Sequence, residues 1–372
     1  MKYYLIAGER SGDLHGGNLI HSLKALDTEA VFRGFGGDHM ERAGMKLVVH
    51  YSTMAFMGLV ALVTNARTIM LRLRQCKSDI LAFQPHVVIL IDYGGFNRKI
   101  AAFCKLRNIK VFYYISPKVW AWYPRRALEL KRNVTRMFCI LPFEQDFYKT
   151  YGWDVDYVGN PVLDAIKAFR PAPRFLTDRG RFPKNKTVAL LPGSRTHELN
   201  RIIPLMVQVV EAFPDYHFVV AAVKSVPSTC YRPLMGIANV EILFEATYDL
   251  LSNAHAAIVT SGTATLETAL FKVPQVVVYK ASWFEFFIAR LMLSIQFVSL
   301  VNLIANKEVI RELLQEKATV SNVKAELQNL MAEGIYREDI LKAYEGLFQK
   351  LDIGLASANA ARLMVGYLRD KS

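Results

Sequence analysis

Three short stretches carry the residue types best suited to chemistry. The first, Thr260-Ser261-Gly262-Thr263-Ala264-Thr265, joins an apolar run at 256–259 to a helix expected over 266–271. A strand that feeds a helix through Ser, Gly and Thr leaves several backbone N–H groups pointing at one spot, and the helix dipole adds partial positive charge there. The turn is suited to a phosphate or pyrophosphate. Glu267, about one turn into the helix, is positioned to accept hydrogen bonds from both hydroxyls of a ribose. The alternative is an ordinary strand–helix turn with small capping residues. The second stretch, Pro192-Gly193-Ser194-Arg195, follows another apolar strand, and Arg195 is placed to neutralise a diphosphate. A surface arginine near a helix start is the competing reading. The third is Asp92, at the end of the apolar strand Val87–Ile91. A carboxylate at the carboxyl end of a parallel strand lies where α/β proteins place ligands, so Asp92 is the candidate general base. Its alternative is to cap the helix that follows.

These residues need elements to position them, and the chain supplies strands and helices in alternation. An N-terminal strand over 3–7 runs into Gly8-Glu9-Arg10-Ser11-Gly12-Asp13 and then a helix to residue 26. That is how a nucleotide-binding-like α/β domain begins, although the turn is not GxGxxG and a dinucleotide fingerprint is not supported. Further strands are expected over 31–34, 87–91, 111–115, 137–141 and 155–158. Trp120 and Trp122, beside Tyr123, Arg125 and Arg126, suggest a sugar- or acyl-facing wall as well as packing. Residues 168–186, rich in proline and arginine with little periodicity, read as a linker. A second strand–turn–helix series starts at 187, with strands over 187–191, 217–223, 240–243, 256–259 and 275–279. Helices are expected over 283–295, 307–316, 323–331, 336–348 and 356–368. Asn302 sits in an otherwise apolar loop and is a candidate ligand contact.

Composition bounds the partners. A 372-residue chain holds two domains of ordinary size, and no run of eighteen or more apolar residues suggests a membrane span. The first residues are too short an apolar stretch for a signal peptide, so a cytoplasmic protein is expected. The four cysteines, Cys76, Cys104, Cys139 and Cys230, lack metal-ligand spacing and read as free thiols. No metal and no cofactor is expected. The net charge of +13 admits nucleic acid, an anionic membrane surface or a polyanionic substrate. The basic residues form no tail and no nucleic-acid-binding signature is present, so nucleic acid is set aside. Residues 54–73 are greasy. Phe56, Met57, Leu59, Val60, Leu62 and Val63, followed by Arg67, Arg72 and Arg74, fit either core packing or a patch that dips into lipid while arginines meet headgroups.

Taken together, two α/β domains with two anion turns in the second describe a GT-B arrangement, two Rossmann-like domains facing a central cleft. The expected limits are 1–168 for an acceptor- and membrane-facing domain, 169–186 for the linker, 187–345 for a UDP-sugar domain, and 346–372 for a C-terminal helix that packs back on the first domain or on a partner subunit.

Seven motifs, in order along almost the whole chain, resemble the lipid-A-disaccharide synthase family. They are Gly8-Glu9-Arg10-Ser11-Gly12-Asp13; Ile91-Asp92 with Phe96-Asn97; Ile115-Ser116-Pro117 with Val119-Trp120-Ala121-Trp122; Leu141-Pro142-Phe143-Glu144; Leu191-Pro192-Gly193-Ser194-Arg195; Ser261-Gly262-Thr263-Ala264 with Leu266-Glu267; and Val298-Ser299-Leu300 with Asn302-Leu303. The resemblance implies an inverting transfer of 2,3-diacylglucosamine from its UDP donor to 2,3-diacylglucosamine 1-phosphate, at the cytoplasmic face of the inner membrane. It implies Asp92 as the base and Glu9, Ser11, Asn97, Ser116, Trp120 and Asn302 as acceptor or substrate contacts. It implies Gly193, Ser194, Arg195, Ser261, Gly262, Thr263, Ala264 and Glu267 around UDP. A homodimer exchanging C-terminal segments is also implied. The chain departs from the pattern at Asp92-Tyr93-Gly94-Gly95, where the family usually reads Asp-Ala-Pro-Asp; the missing second acid supports Asp92 as the base. Val301 replaces the usual proline and Arg10 a small residue. Another GT-B enzyme with a soluble acceptor, a UDP-sugar epimerase, and a non-catalytic sugar-nucleotide or lipid-binding protein are the alternatives.

Overall fold

The computed structural model describes residues 1–53, 66–172, 186–260, 262–281 and 296–370. The patch residues Phe56, Met57, Leu59, Val60, Leu62 and Val63, together with Ser261, the helix expected over 283–295 and most of the 169–186 linker, lie outside the described residues. The chain forms two compact units, Met1–Pro161 with Ile353–Ser372, and Val162–Asp352.

Unit 1 is built on a seven-stranded sheet of β1 (Lys2–Ala7), β2 (Val31–Gly36), β3 (Lys46–His50), β4 (Val87–Ile91), β5 (Lys110–Tyr114), β6 (Arg136–Cys139) and β7 (Asp156–Tyr157), in the order β3-β2-β1-β4-β5-β6-β7. Every pairing is parallel. A parallel sheet covered by helices on both faces has no polar face, so its strands are continuous apolar runs such as Val87-Val88-Ile89-Leu90-Ile91, all fully buried. The connecting helices are α1 (Arg10–Leu26), α2 (Asp38–Arg42), α3 (Ala66–Phe83), α4 (Gly94–Leu106), α5 (Val119–Trp122), α6 (Arg126–Asn133) and α7 (Phe143–Lys149). One of them is pinned to the sheet by charge: Arg33 of β2 meets Asp79 of α3 at 2.6 Å, and the Tyr4 hydroxyl donates to the same carboxylate at 2.8 Å.

Unit 2 repeats the plan. Its strands are β8 (Thr187–Leu191), β9 (His217–Ala222), β10 (Val240–Phe244), β11 (Ala256–Thr260), β12 (Gln275–Tyr279) and β13 (Glu312–Leu314), parallel and in the order β10-β9-β8-β11-β12-β13. Its helices are α8 (Pro161–Ala168), α9 (Thr196–Glu211), α10 (Thr247–Asn253), α11 (Thr263–Leu270), α12 (Leu300–Ala305), α13 (Val320–Met331) and α14 (Ile335–Leu351). A last helix, α15 (Ala356–Arg369), belongs to unit 1.

Some expectations need correcting. Residues 307–316 do not form a helix. Ile310, Leu313 and Leu314 have helical spacing, but pairing with β12 (Val277 opposite Glu312) draws Glu312–Leu314 into the sheet as its edge strand. The strand Lys46–His50 went unanticipated, because its apolar core, Leu47-Val48-Val49, is only three residues long between Lys46 and His50. The limits drawn at 168 and 345 fall at the end of α8 and inside α14. Both helices go with unit 2, tied together by the Lys167–Asp352 ion pair, while Phe169 meets Tyr248 and Phe271 edge to face.

Candidate active site

In each unit the strand order reverses at one place, and a crevice at the carboxyl ends of the two strands flanking that reversal is where doubly wound sheets bind ligands. In unit 1 those strands are β1 and β4, with Ala7 opposite Ile91. The 8–11 and 92–97 turns therefore leave the sheet as neighbours. In unit 2 they are β8 and β11, with Leu191 opposite Val259, so the 192–195 turn and Gly262, which opens the helix after β11, stand at neighbouring strand ends.

Asp92 is the first residue beyond β4 and is half-buried. Its backbone is left-handed, with φ 42°, and so is that of Tyr93, with φ 49°. Two such residues in a row cost roughly 1–3 kcal/mol each. The turn is held by Asn97, whose Nδ2 donates to the carbonyls of Asp92 (2.8 Å) and Ile91 (3.3 Å), and by the Tyr113 hydroxyl, which donates to the Asp92 carbonyl at 2.6 Å. The Tyr93 ring covers Gly8, where a Cβ would sit 2.3 Å from it, and packs on Phe96 at 5.6 Å. Tyr93, not Asp92, occupies the N-cap of α4, and no side chain caps that helix. The capping role for Asp92 is therefore not what the fold uses. Burial, then the neighbouring Glu9 carboxylate, push the Asp92 carboxyl up to about 6, against Lys118 and the Tyr93 backbone. A base poised there is ionised at neutral pH yet retains useful basicity.

The other unit 1 candidates divide. Glu9 is half-buried beside Asp92, and Ser11 is exposed on the first turn of α1. Asn97 is fully buried and acts on the main chain of the turn. Ser116 and Trp120 face the protein interior: the Ser116 hydroxyl lies 2.7 Å from the Tyr148 hydroxyl, and Trp120 Nε1 donates to Glu144 Oε1 at 3.1 Å. Glu144 also accepts the N–H groups of Ile140 (3.1 Å) and Leu141 (3.0 Å). Burial pushes its carboxyl up to about 7, opposed by those hydrogen bonds. Asp13, in the first motif, is a buried clamp whose carboxylate accepts from Gly37, His39 and Met40 N–H at 2.8–3.0 Å and so caps α2.

In unit 2, Arg195 is the N-cap residue of α9, and its half-exposed guanidinium donates to Glu198 Oε1 at 3.3 Å. Gly193 has φ +105°, and a Cβ on it would lie 2.7 Å from Glu198 Oε2. Ser194 is exposed between them. Gly262 opens α11 with φ 154° and ψ −159°, a region essentially reserved for glycine. Thr263 and Ala264 follow in the first turn, and Thr265 closes that turn through its hydroxyl to the Gly262 carbonyl at 2.8 Å. Burial raises the Glu267 carboxyl, while the Tyr248 hydroxyl, at 3.0 Å, favours its ionised form. Tyr248 was not foreseen; an aromatic residue in the first turn of α10 carries no signal of that bond.

Asn302 is fully buried and saturated by the protein. Its Nδ2 donates to the Ile310 carbonyl and Glu312 Oε1, both at 2.9 Å, and its Oδ1 accepts from Val309 (2.8 Å) and Ile310 (3.0 Å). Glu312 further accepts Val298 N–H, Ser299 N–H and the Ser299 hydroxyl at 2.7–2.9 Å. With both donors and both acceptor positions used, Asn302 organises the 298–312 loop rather than offering a polar atom to a ligand.

Paired doubly wound sheets, a poised carboxylate at one switch point and two anion-suited turns at the other define the class of GT-B sugar-nucleotide enzymes. The chain shares its fold with the glycotransferase of kitacinnamycin (TM-score 0.69, 16% identity, 99% of both chains). It also resembles the UDP-GlcNAc 2-epimerase from Neisseria meningitidis, solved bound to UDP-GlcNAc (TM-score 0.66, 14% identity, 99% of both chains). A family profile described as Lipid-A-disaccharide synthetase matches residues 3–360. Relatives named Lipid-A-disaccharide synthase include those of Syntrophus aciditrophicus (36% identity, 96% of this chain, 95% of the relative) and Coxiella burnetii strain Dugway 5J108-111 (33%, 97% and 96%). The chain belongs to the lipid-A-disaccharide synthase family, glycosyltransferases that form the lipid A disaccharide.

Proposed function

We propose that the donor is UDP-2,3-diacylglucosamine and the acceptor 2,3-diacylglucosamine 1-phosphate, with inversion at the anomeric carbon and release of UDP. The observation that carries the assignment of roles is Asp92: a carboxylate at the unit 1 switch point, in a clamped left-handed turn, with its acidity weakened to about 6. Asp92 takes the proton of the acceptor hydroxyl as the oxygen attacks; positioned base catalysis contributes roughly 10²–10⁴-fold. The bond to UDP breaks on the opposite face of the sugar. Arg195 and the N–H groups opening α11 neutralise the departing diphosphate, with Gly193, Ser194, Gly262, Thr263 and Ala264 allowing close approach. Glu267, oriented by Tyr248, accepts from the ribose hydroxyls. Glu9 and Ser11 line the acceptor side.

Both proposed substrates carry acyl chains, so the enzyme works at an anionic membrane surface. Among the described residues no helix is long and apolar enough to cross a membrane. Supporting a peripheral dock are the exposed Met70 and Leu71 of α3, which continue the greasy 56–63 stretch among Arg67, Arg72 and Arg74. The test is mass spectrometry of products after incubation with the two monosaccharide substrates. The disaccharide 1-phosphate and UDP are expected from the native protein and neither from Asp92→Asn; full transfer by a folded Asp92→Asn protein would remove Asp92 as the base.

A further inference from the structure

We infer that Lys118 is the cation that receives the phosphate of the acceptor, and that the loop carrying it is built to hold it there. This rests on the reading of unit 1 as the acceptor side. The loop begins where β5 ends, beside the Asp92 turn, since Ile91 pairs with Tyr114. Ile115 turns it sharply, in a left-handed conformation (φ 66°) that a β-branched residue rarely adopts. Two fastenings to α7 and its lead-in then fix the loop on either side of Lys118. Ser116 meets Tyr148 at 2.7 Å, and Trp120 donates to the buried Glu144, itself held by the N–H groups of Ile140 and Leu141. Pro117 packs against the Asp92 turn, so closely that a Cβ on Gly94 would lie 3.1 Å from the proline Cβ. Pro117 and Val119 are both buried, and Lys118 between them is exposed.

The arrangement gives Lys118 an electrostatic task. Asp92 and Glu9 place two carboxylates at one switch point, and a phosphorylated sugar arriving there brings more negative charge. Lys118 is the cation whose charge is felt at Asp92, opposing that of Glu9. Among the described residues its carbonyl accepts from the Ala121 N–H at 3.2 Å but its ammonium forms no hydrogen bond or ion pair, whereas Arg10, the basic residue of the first turn, is already engaged within the protein. An ammonium on a four-carbon stem reaches well beyond its own backbone, so it can pair with a phosphate while Asp92 keeps the reacting hydroxyl. The polar atoms of Ser116 and Trp120, expected to touch the acceptor, instead fasten the loop that presents Lys118.

The experiment compares kcat/KM at pH 8 for the 1-phosphate acceptor and for an analogue lacking the phosphate, in the native protein, Lys118→Ala and Lys118→Arg. Lys118→Ala is expected to lower kcat/KM for the phosphorylated acceptor at least tenfold, through KM, and to change the analogue by no more than twofold; Lys118→Arg restores most of the loss. Equal losses for both acceptors, or none, would overturn the inference. Calorimetric binding of the phosphorylated acceptor to Asp92→Asn, with and without Lys118→Ala, reads the same effect without turnover. A tenfold loss there upholds Lys118 even if Asp92 proves not to be the base, and unchanged binding overturns it.

Discussion

Asp92 sits in a conformation and an environment that both work against the folded state. Its carboxyl titrates near 6 in the folded protein rather than at 3.8, because burial and Glu9 disfavour the charge. The folded state therefore binds that proton more tightly than the unfolded chain does. Stability linked to this group is fully present below about pH 3.8, falls as pH rises toward 6, and is lost at neutral pH. At 1.36 kcal/mol per unit, and reduced for a half-buried group, the cost at pH 7 is about 1–3 kcal/mol. Asparagine removes the charge and tolerates the left-handed backbone at this position (φ 42°). Asp92→Asn is accordingly expected to abolish transfer while raising the melting temperature at pH 7, and thermal scans at pH 4 and pH 7 check it by showing the gain only at the higher pH. In the native enzyme, kcat/KM should drop about tenfold per unit once the pH falls below about 6, as the base becomes protonated.

The elements around the site explain which residues touch substrate and which set the frame. Asn302 falls in the second group, with four hydrogen bonds to the backbone and to Glu312 holding α12 against β13. Asn302→Ala strands buried partners and is expected to destabilise the protein by about 2–4 kcal/mol, measured by denaturant unfolding. A wild-type unfolding midpoint with lost activity would instead make Asn302 a direct contact. This distinction was not legible in the chain, because an asparagine amid apolar residues looks the same whether its partners are a ligand or main chain. Ser116 and Trp120 posed the same problem: their partners, Tyr148 and Glu144, lie more than twenty residues away, and no local pattern announces such a bond. What local pattern does announce is the doubly wound plan. Runs such as Val87–Ile91, Thr187–Leu191 and Gln275–Tyr279 are too apolar for anything but a sheet buried on both faces, and the observed strands keep those limits. The placement of Asp92, Gly193, Ser194, Arg195 and Gly262 at strand ends was readable for the same reason, since each lies within four residues of the end of such a run. Of the four edge strands, Lys46–His50 and Glu312–Leu314 were not, because each has an apolar run of three residues or fewer and pairing with one neighbour sustains it.

For the molecule as a whole, the net charge of +13 suits the anionic lipid surface that the proposed acyl-bearing substrates would require. Met70 and Leu71 are 57% and 61% exposed on an arginine-bearing helix. Replacing both with serine should weaken sedimentation with anionic vesicles by tenfold or more, given about 1.5–3 kcal/mol per fully buried apolar side chain; unchanged binding would exclude this face. The C-terminus raises a separate whole-chain question. After unit 2 the chain returns to unit 1, and α15 completes a core begun more than three hundred residues earlier. Ala360, Ala361, Met364 and Val365 pack with Leu19, Ile20, Leu23, Phe112 and Phe138. Ser22 meets Ser357 at 3.2 Å, the Tyr367 hydroxyl donates to Asp156 at 3.0 Å, and Arg369 donates to the Leu26 carbonyl at 3.0 Å. Burying these apolar side chains contributes on the order of 5–8 kcal/mol, comparable with the 5–15 kcal/mol that keeps a typical domain folded. A chain ending at Asp352 should therefore lose the cooperative unfolding of unit 1 while unit 2, which contains none of α15, keeps its own. Hydrogen exchange read separately over β1–β7 and β8–β13 checks this: protection lost only in the first sheet is the expected result. A peptide spanning 353–372 added in trans should restore that protection, because the groove on α1 accepts the helix whichever chain supplies it. The same surface would then serve a dimer that exchanges C-terminal segments, and a truncated chain retaining full protection in β1–β7 would show that α15 is dispensable to the unit it covers.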